Sequence, residues 1–102
     1  MTMAHVLLTL ELDELCESAR LPREVLLEIV DVGIVEPRER RGDTWLFDAA
    51  ALTLVRRAAR LQREFELDWP GIALAMRLLD EVEQLRAENR QLRQRLARYL
   101  ED

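Results

Sequence analysis

The sequence contains no lysine: all fifteen basic residues are arginine, set against twenty Asp and Glu and a single histidine, for a net charge of −5. A compositional bias of the encoding genome accounts for this more simply than a demand for bidentate guanidinium contacts. Cysteine is limited to Cys16, which excludes an intramolecular disulfide, fits a reducing compartment and leaves core packing as the expected role. One histidine, one unpaired cysteine and three scattered glycines leave little from which to build a catalytic site. There is no phosphate loop, no dinucleotide fingerprint and no metal-ligand spacing, so neither an enzyme nor a cofactor is expected. His5 reads as a solvated side chain near the chain end. The acid clusters Asp80-Glu81-Glu83 and Glu11-Asp13-Glu14-Glu17 imply no apolar pocket that would raise a carboxyl pKa. No apolar run approaches the ~20 residues of a membrane span, and Met-Thr-Met-Ala-His lacks the regions of a signal peptide. A cytoplasmic location is the resulting expectation. Three prolines and three glycines in 102 residues, amid many helix formers, predict one small, mainly α-helical domain with room for one appended element.

What is present is unevenly placed. Residues 1–35 hold seven acids and two arginines, residues 36–47 balance, residues 48–67 reach +1 and residues 68–102 reach −1. Val6 to Leu10 reads as a short strand, followed by a helix over residues 11–19 that Thr9 helps to start, with Leu12, Leu15, Cys16 and Ala19 on one face. Pro22 fits the first turn of a second helix, whose buried stripe is Val25, Leu26, Ile29 and Val30 and whose end Gly33 can close. Residues 38–43 form a charged hairpin tip from which Thr44-Trp45-Leu46-Phe47 returns as a strand, making a wing. Asp48 caps a third helix of about twenty residues, with Leu52, Val55, Ala59 and Phe65 inward and Arg56, Arg57, Arg60 and Arg63 on the other face. Asp68 caps and Pro70 opens a last helix of some thirty residues, roughly 45 Å at 1.5 Å per residue.

The second half of that helix carries Val82, Leu85, Asn89, Leu92, Leu96 and Tyr99 at alternating spacings of three and four. This is a coiled-coil seam with asparagine at an a position, and a buried Asn there favours a defined dimer. Glu81 and Glu88 fall at g, Arg86 and Arg93 at e. Parallel pairing matches each Glu to an Arg of the second chain, whereas antiparallel pairing sets Arg86 against Arg93. A homodimer is expected; the alternative is a helix that packs only on its own domain. The fold class is therefore mainly α, a winged helix-turn-helix head over residues 1–67 with a small β wing, and a long C-terminal helix over residues 68–102, coiled coil in its second half.

Residues 22–32 sit where a helix-turn-helix places its DNA-reading helix, yet they carry Glu24, Glu28 and Asp31 against Arg23. Affinity for phosphate comes from Lys and Arg, so this helix points to a basic protein partner instead. Strand, helix-turn-helix, wing and long helix, taken in order, resemble the N-terminal half of a MerR-type regulator. Gly33-Ile34-Val35-Glu36-Pro37-Arg38, Thr44-Trp45-Leu46-Phe47-Asp48 and Leu67-Asp68-Trp69-Pro70-Gly71-Ile72-Ala73, with Leu85 to Leu96 following, are more closely similar to the chaperone modulator CbpM family. The resemblance covers essentially the whole chain. It implies a bacterial cytoplasmic protein that binds the J-domain of the DnaJ-like co-chaperone CbpA and inhibits both its co-chaperone activity and its DNA binding. J-domains engage an Hsp70-type chaperone through a basic second helix, so the acids Glu11, Asp13, Glu14, Glu17, Glu24, Glu28 and Asp31 are the expected J-domain contact surface, with an apolar anchor near them. Trp45 and Phe47 are expected to close the core of the wing, and Trp69 to pack at the helix junction. The runner-up is a small MerR-like DNA-binding transcriptional regulator using Arg38, Arg40 and Arg41 of the wing and the arginines of the third helix. Glu36, Glu39 and Asp43 offset that wing charge, so duplex binding is expected to be weak. A third reading, a scaffold for coiled-coil assembly alone, leaves the acidic head unexplained.

Overall fold

The computed structural model describes residues 9–101; His5 and the first part of the expected strand, Val6 to Leu8, lie outside them. Strand β1 (Thr9–Glu11) leads directly into helix α1 (Leu12–Ala19). Its start is fixed not by Thr9, which belongs to the strand, but by Glu14, whose carboxylate accepts the Glu11 backbone N–H at 2.9 Å. The helix buries Leu12 and Leu15. It ends in a Schellman turn: Arg20 takes the left-handed conformation (φ 57°), its N–H bonds to Glu17 O and the Leu21 N–H to Cys16 O, so carbonyls that the helix leaves free are satisfied.

Helix α2 (Arg23–Asp31) has Pro22 as its N-cap, one residue before the position expected for it, and buries Leu26 and Ile29 completely. Gly33 (φ 84°) closes it with the same device, Ile34 N–H to Ile29 O and Gly33 N–H to Val30 O. The chain then enters the wing, strands β2 (Glu39–Arg41) and β3 (Thr44–Asp48) joined by Gly42-Asp43. Gly42 has φ 58°, as the primed turns of two-residue hairpins require. The sheet order is β1-β3-β2, both pairs antiparallel, with Leu10 opposite Phe47 and Arg40 opposite Trp45. Phe47 is fully buried and Trp45 half-buried.

Asp48 accepts the Ala51 N–H at 3.2 Å and starts helix α3 (Ala49–Phe65), which buries Ala51, Val55, Ala58 and Ala59. Val55 joins Leu12, Leu15, Leu26, Ile29 and Phe47 in the head core. Phe65 departs from expectation: it is 62% exposed, because α3 runs past the end of the core it packs on.

Helix α4 (Trp69–Glu101) explains the Asp-Trp-Pro-Gly-Ile run. Asp68 accepts the Gly71 N–H at 2.9 Å, Pro70 sits where no N–H is needed, and Ile72 is fully buried with Met76 against Ala58 in a second core cluster. A Cβ on Gly71 would stand 3.0 Å from the capping Asp68 oxygen, so the glycine makes room for the cap. Ile34, Leu54 and Trp69 pack against both clusters. From Arg77 to Glu101 every residue is exposed except the half-buried Ala87. This projection gives a radius of gyration of 18.2 Å, against about 13 Å for a compact chain of this length. Among the described residues no helix is long and apolar enough to cross a membrane.

Candidate partner-binding surfaces

Helices α1 and α2 pack beside one another on the head, and all seven acids singled out in the sequence are exposed. Their states differ. Asp13 accepts from Arg23 at 2.6 Å and Glu14 is occupied by the start of α1, whereas the ion pairs among the described residues engage none of Glu17, Glu24, Glu28 or Asp31. Glu24, Glu28 and Asp31 follow at spacings of four and three and so share one face of α2. Leu27, 37% exposed, lies on that same face, off the stripe of Val25, Leu26, Ile29 and Val30 that turns inward. The sequence signal was available: a leucine three residues after Glu24 and four before Asp31 must stand among them.

Cys16 reports how the two helices combine. Burial raises its thiol pKa above the ordinary value, the Asp13 carboxylate raises it further and Glu24 adds to this, opposed by Arg23. Where α1 begins beside the wing, Asp13, Arg23, Asp43 and Trp45 border a recess of about 130 Å³.

The wing arginines are already engaged within the chain. Arg38 lies 3.9 Å from Asp48, Arg41 bonds Glu39 at 2.8 Å, and Arg40 stacks over Trp45 with 4.8 Å to the ring centroid. On α3, Arg57 pairs with Asp80 of α4 at 3.6 Å and Arg56 donates to Ser18 O, while Arg60 and Arg63 are exposed. Exposed pairs contribute little stability, but each one lowers the charge that a phosphate would meet.

The third surface is the seam of α4. Val82, Leu85, Leu92, Leu96 and Tyr99 are 41%, 62%, 61%, 57% and 78% exposed, and Asn89 is exposed between them. Nine of the twelve large hydrophobic side chains exposed among the described residues belong to α4. Exposed apolar patches of this kind are uncommon on folded domains that have no partner there. The described residues hold no group of His, Cys, Asp and Glu arranged for a metal ion.

Residues 10–94 match the MerR HTH family regulatory protein family. The chaperone modulatory protein CbpM of Escherichia coli strain K12 / DH10B is 49% identical over 98 residues, which cover 96% of this chain and 97% of the relative. Proteins of the same name from Escherichia coli O157:H7 and Shigella boydii serotype 18 are similar to the same degree over the same shares.

Proposed function

The chain belongs to the family of chaperone modulatory proteins CbpM, built on the fold of the MerR HTH regulatory proteins, and from this premise we propose that it binds the J-domain of a DnaJ-like co-chaperone of the CbpA type. In this reading it inhibits that protein's co-chaperone and DNA-binding activities by competing with an Hsp70-type chaperone in the cytoplasm, and it acts as a homodimer without catalytic activity of its own.

The observation that carries the reading is the face of α2 formed by Glu24, Leu27, Glu28 and Asp31, all exposed. In a DNA-reading protein this helix would offer Arg, Asn or Gln to base edges; here it offers carboxylates around one leucine. A basic helix is the partner whose charge complements it. Attraction between the two accelerates association and fades as salt rises, and Leu27 supplies the apolar contact that rim carboxylates alone cannot. The acidic α2 and the engaged wing arginines argue against duplex DNA as the partner.

Calorimetric titration of an isolated J-domain tests this. Wild type is expected to bind, and the combined change of Glu24, Glu28 and Asp31 to Lys to weaken binding at least tenfold, with Leu27→Ala weakening it further at high salt, where the charges are screened. Unchanged affinity in the triple variant would move the site off α2. No binding by wild type would remove the J-domain as partner, and a salt-sensitive complex with genomic fragments in a gel shift would favour the regulator reading.

A further inference from the structure

The recess between the start of α1 and the wing joins an aromatic ring to carboxylates: Asp13, Arg23, Asp43, Thr44 and Trp45 line it. Its volume of about 130 Å³ exceeds the roughly 30 Å³ of one water and falls short of the roughly 300 Å³ at which small-molecule pockets begin. It suits the end of one side chain. The chain's own cations show which kind. Arg23 reaches from α2 to bond Asp13 at 2.6 Å, and the Arg40 guanidinium, placed opposite Trp45 by the β2–β3 register, lies 4.8 Å from the ring centroid. Two guanidinium groups thus already use the carboxylate and the ring found here, the two partners that arginine favours. Asp43, exposed at the hairpin tip, is engaged by none of the ion pairs among the described residues.

The recess is continuous with the acidic face of α2, because Arg23 opens that helix and Glu24, Glu28 and Asp31 follow along it. A basic helix laid on α2 therefore meets the wing at one end. We infer that the recess receives an arginine side chain of that basic partner helix, which takes Asp13 from Arg23, pairs with Asp43 and rests against Trp45. The Asp13 and Arg23 side chains are 80% and 56% exposed, so their bond is weakly held and open to exchange. The inference rests on the α2 reading proposed above. It adds that the wing is part of the same interface, and that Arg23 is a competitor carried within the chain, occupying Asp13 until the partner arrives.

The test titrates the full chain with an isolated J-domain by calorimetry at low salt. Asp43→Lys is expected to weaken binding about tenfold, as reversing a charge in a complementary interface does. Arg23→Gln removes the competitor and frees Asp13, and is expected to strengthen binding about threefold, the scale of one exposed ion pair. Both side chains are exposed, so both variants should keep the wild-type thermal melt. Were Arg23 only a strut between α1 and α2, its loss would leave affinity unchanged or lower, and either result overturns the exchange. Nuclear magnetic resonance reads the recess itself. Trp45 and Trp69 give the two indole N–H signals of the chain, told apart by Trp45→Phe, and the Trp45 signal is expected to shift when the J-domain is added. An unshifted Trp45 signal at saturation, with Asp43→Lys binding as wild type, overturns the recess; if the change of Glu24, Glu28 and Asp31 to Lys still weakens binding, the α2 reading stands without it. No binding by wild type overturns both.

Discussion

Helices α3 and α4 carry apolar stripes of similar period, and their side chains meet different fates. Val55 and Ala58 on α3 are fully buried, while the stripe of α4 from Val82 to Tyr99 is 41–78% exposed wherever it is a large hydrophobic. The difference lies in what stands opposite. α3 has the sheet, α1 and the first turns of α4 within reach, and its small Ala51, Ala58 and Ala59 admit them closely. The outer part of α4 has leucines and, among the described residues, no element beside it. Periodicity decides which face is apolar, and the surrounding chain decides whether that face is covered.

The comparison breaks most sharply under a charge. Val55→Asp puts an unpaired carboxylate into the core, a cost of several kcal/mol against a total stability of about 5–15 kcal/mol, and is expected to abolish the cooperative melt of the head. Leu85→Asp, on a residue 62% exposed, should leave that melt within about 0.5 kcal/mol at dilutions where the chain is single, yet prevent dimer formation. Equal thermal melts for the two variants would show that α4 is buried in its own chain after all.

A smaller effect separates the two helix starts. Asp48→Ala removes the cap of α3 and is expected to cost about 1 kcal/mol in urea unfolding, since α3 is bound into the core and cannot fray without it. The smallest effect is that of Gly71→Ala. An ordinary Gly→Ala change inside a helix gains about 1 kcal/mol; here the new methyl crowds the Asp68 oxygen at 3.0 Å, and the net change is expected to stay below about 0.5 kcal/mol. A full gain would show that Asp68 does not hold the start of α4.

Much of the head was legible in the sequence because its signals are local. Gly33, Asp48, Asp68 and Pro70 mark helix ends through backbone chemistry that needs no neighbour, and the inward stripe of α2 follows from spacing alone. Phe65 was misplaced for the reason that separates α3 from α4: its spacing puts it on the apolar side, but no spacing reveals that the core ends before it. The start of α1 was misread because no Ser, Thr, Asp or Asn caps it: Glu11 is the cap residue, and Glu14 reaches back to accept its N–H. Leu27 was overlooked because a single leucine off the stripe reads as ordinary surface until the acids around it are placed. The sequence already set Glu36, Glu39 and Asp43 against the wing arginines, and the geometry adds that Arg38, Arg40 and Arg41 are each turned to a neighbour.

Ile34, Leu54 and Trp69 touch both core clusters, and Ile34 is the residue whose N–H closes α2. In mechanical terms the root of α4 is a clamp and not a hinge: the rod that projects from it cannot tilt without dragging the turn that ends α2. In the proposed homodimer, two chains holding each other along their rods would stiffen the very helix that faces outward with Glu24, Leu27 and Asp31.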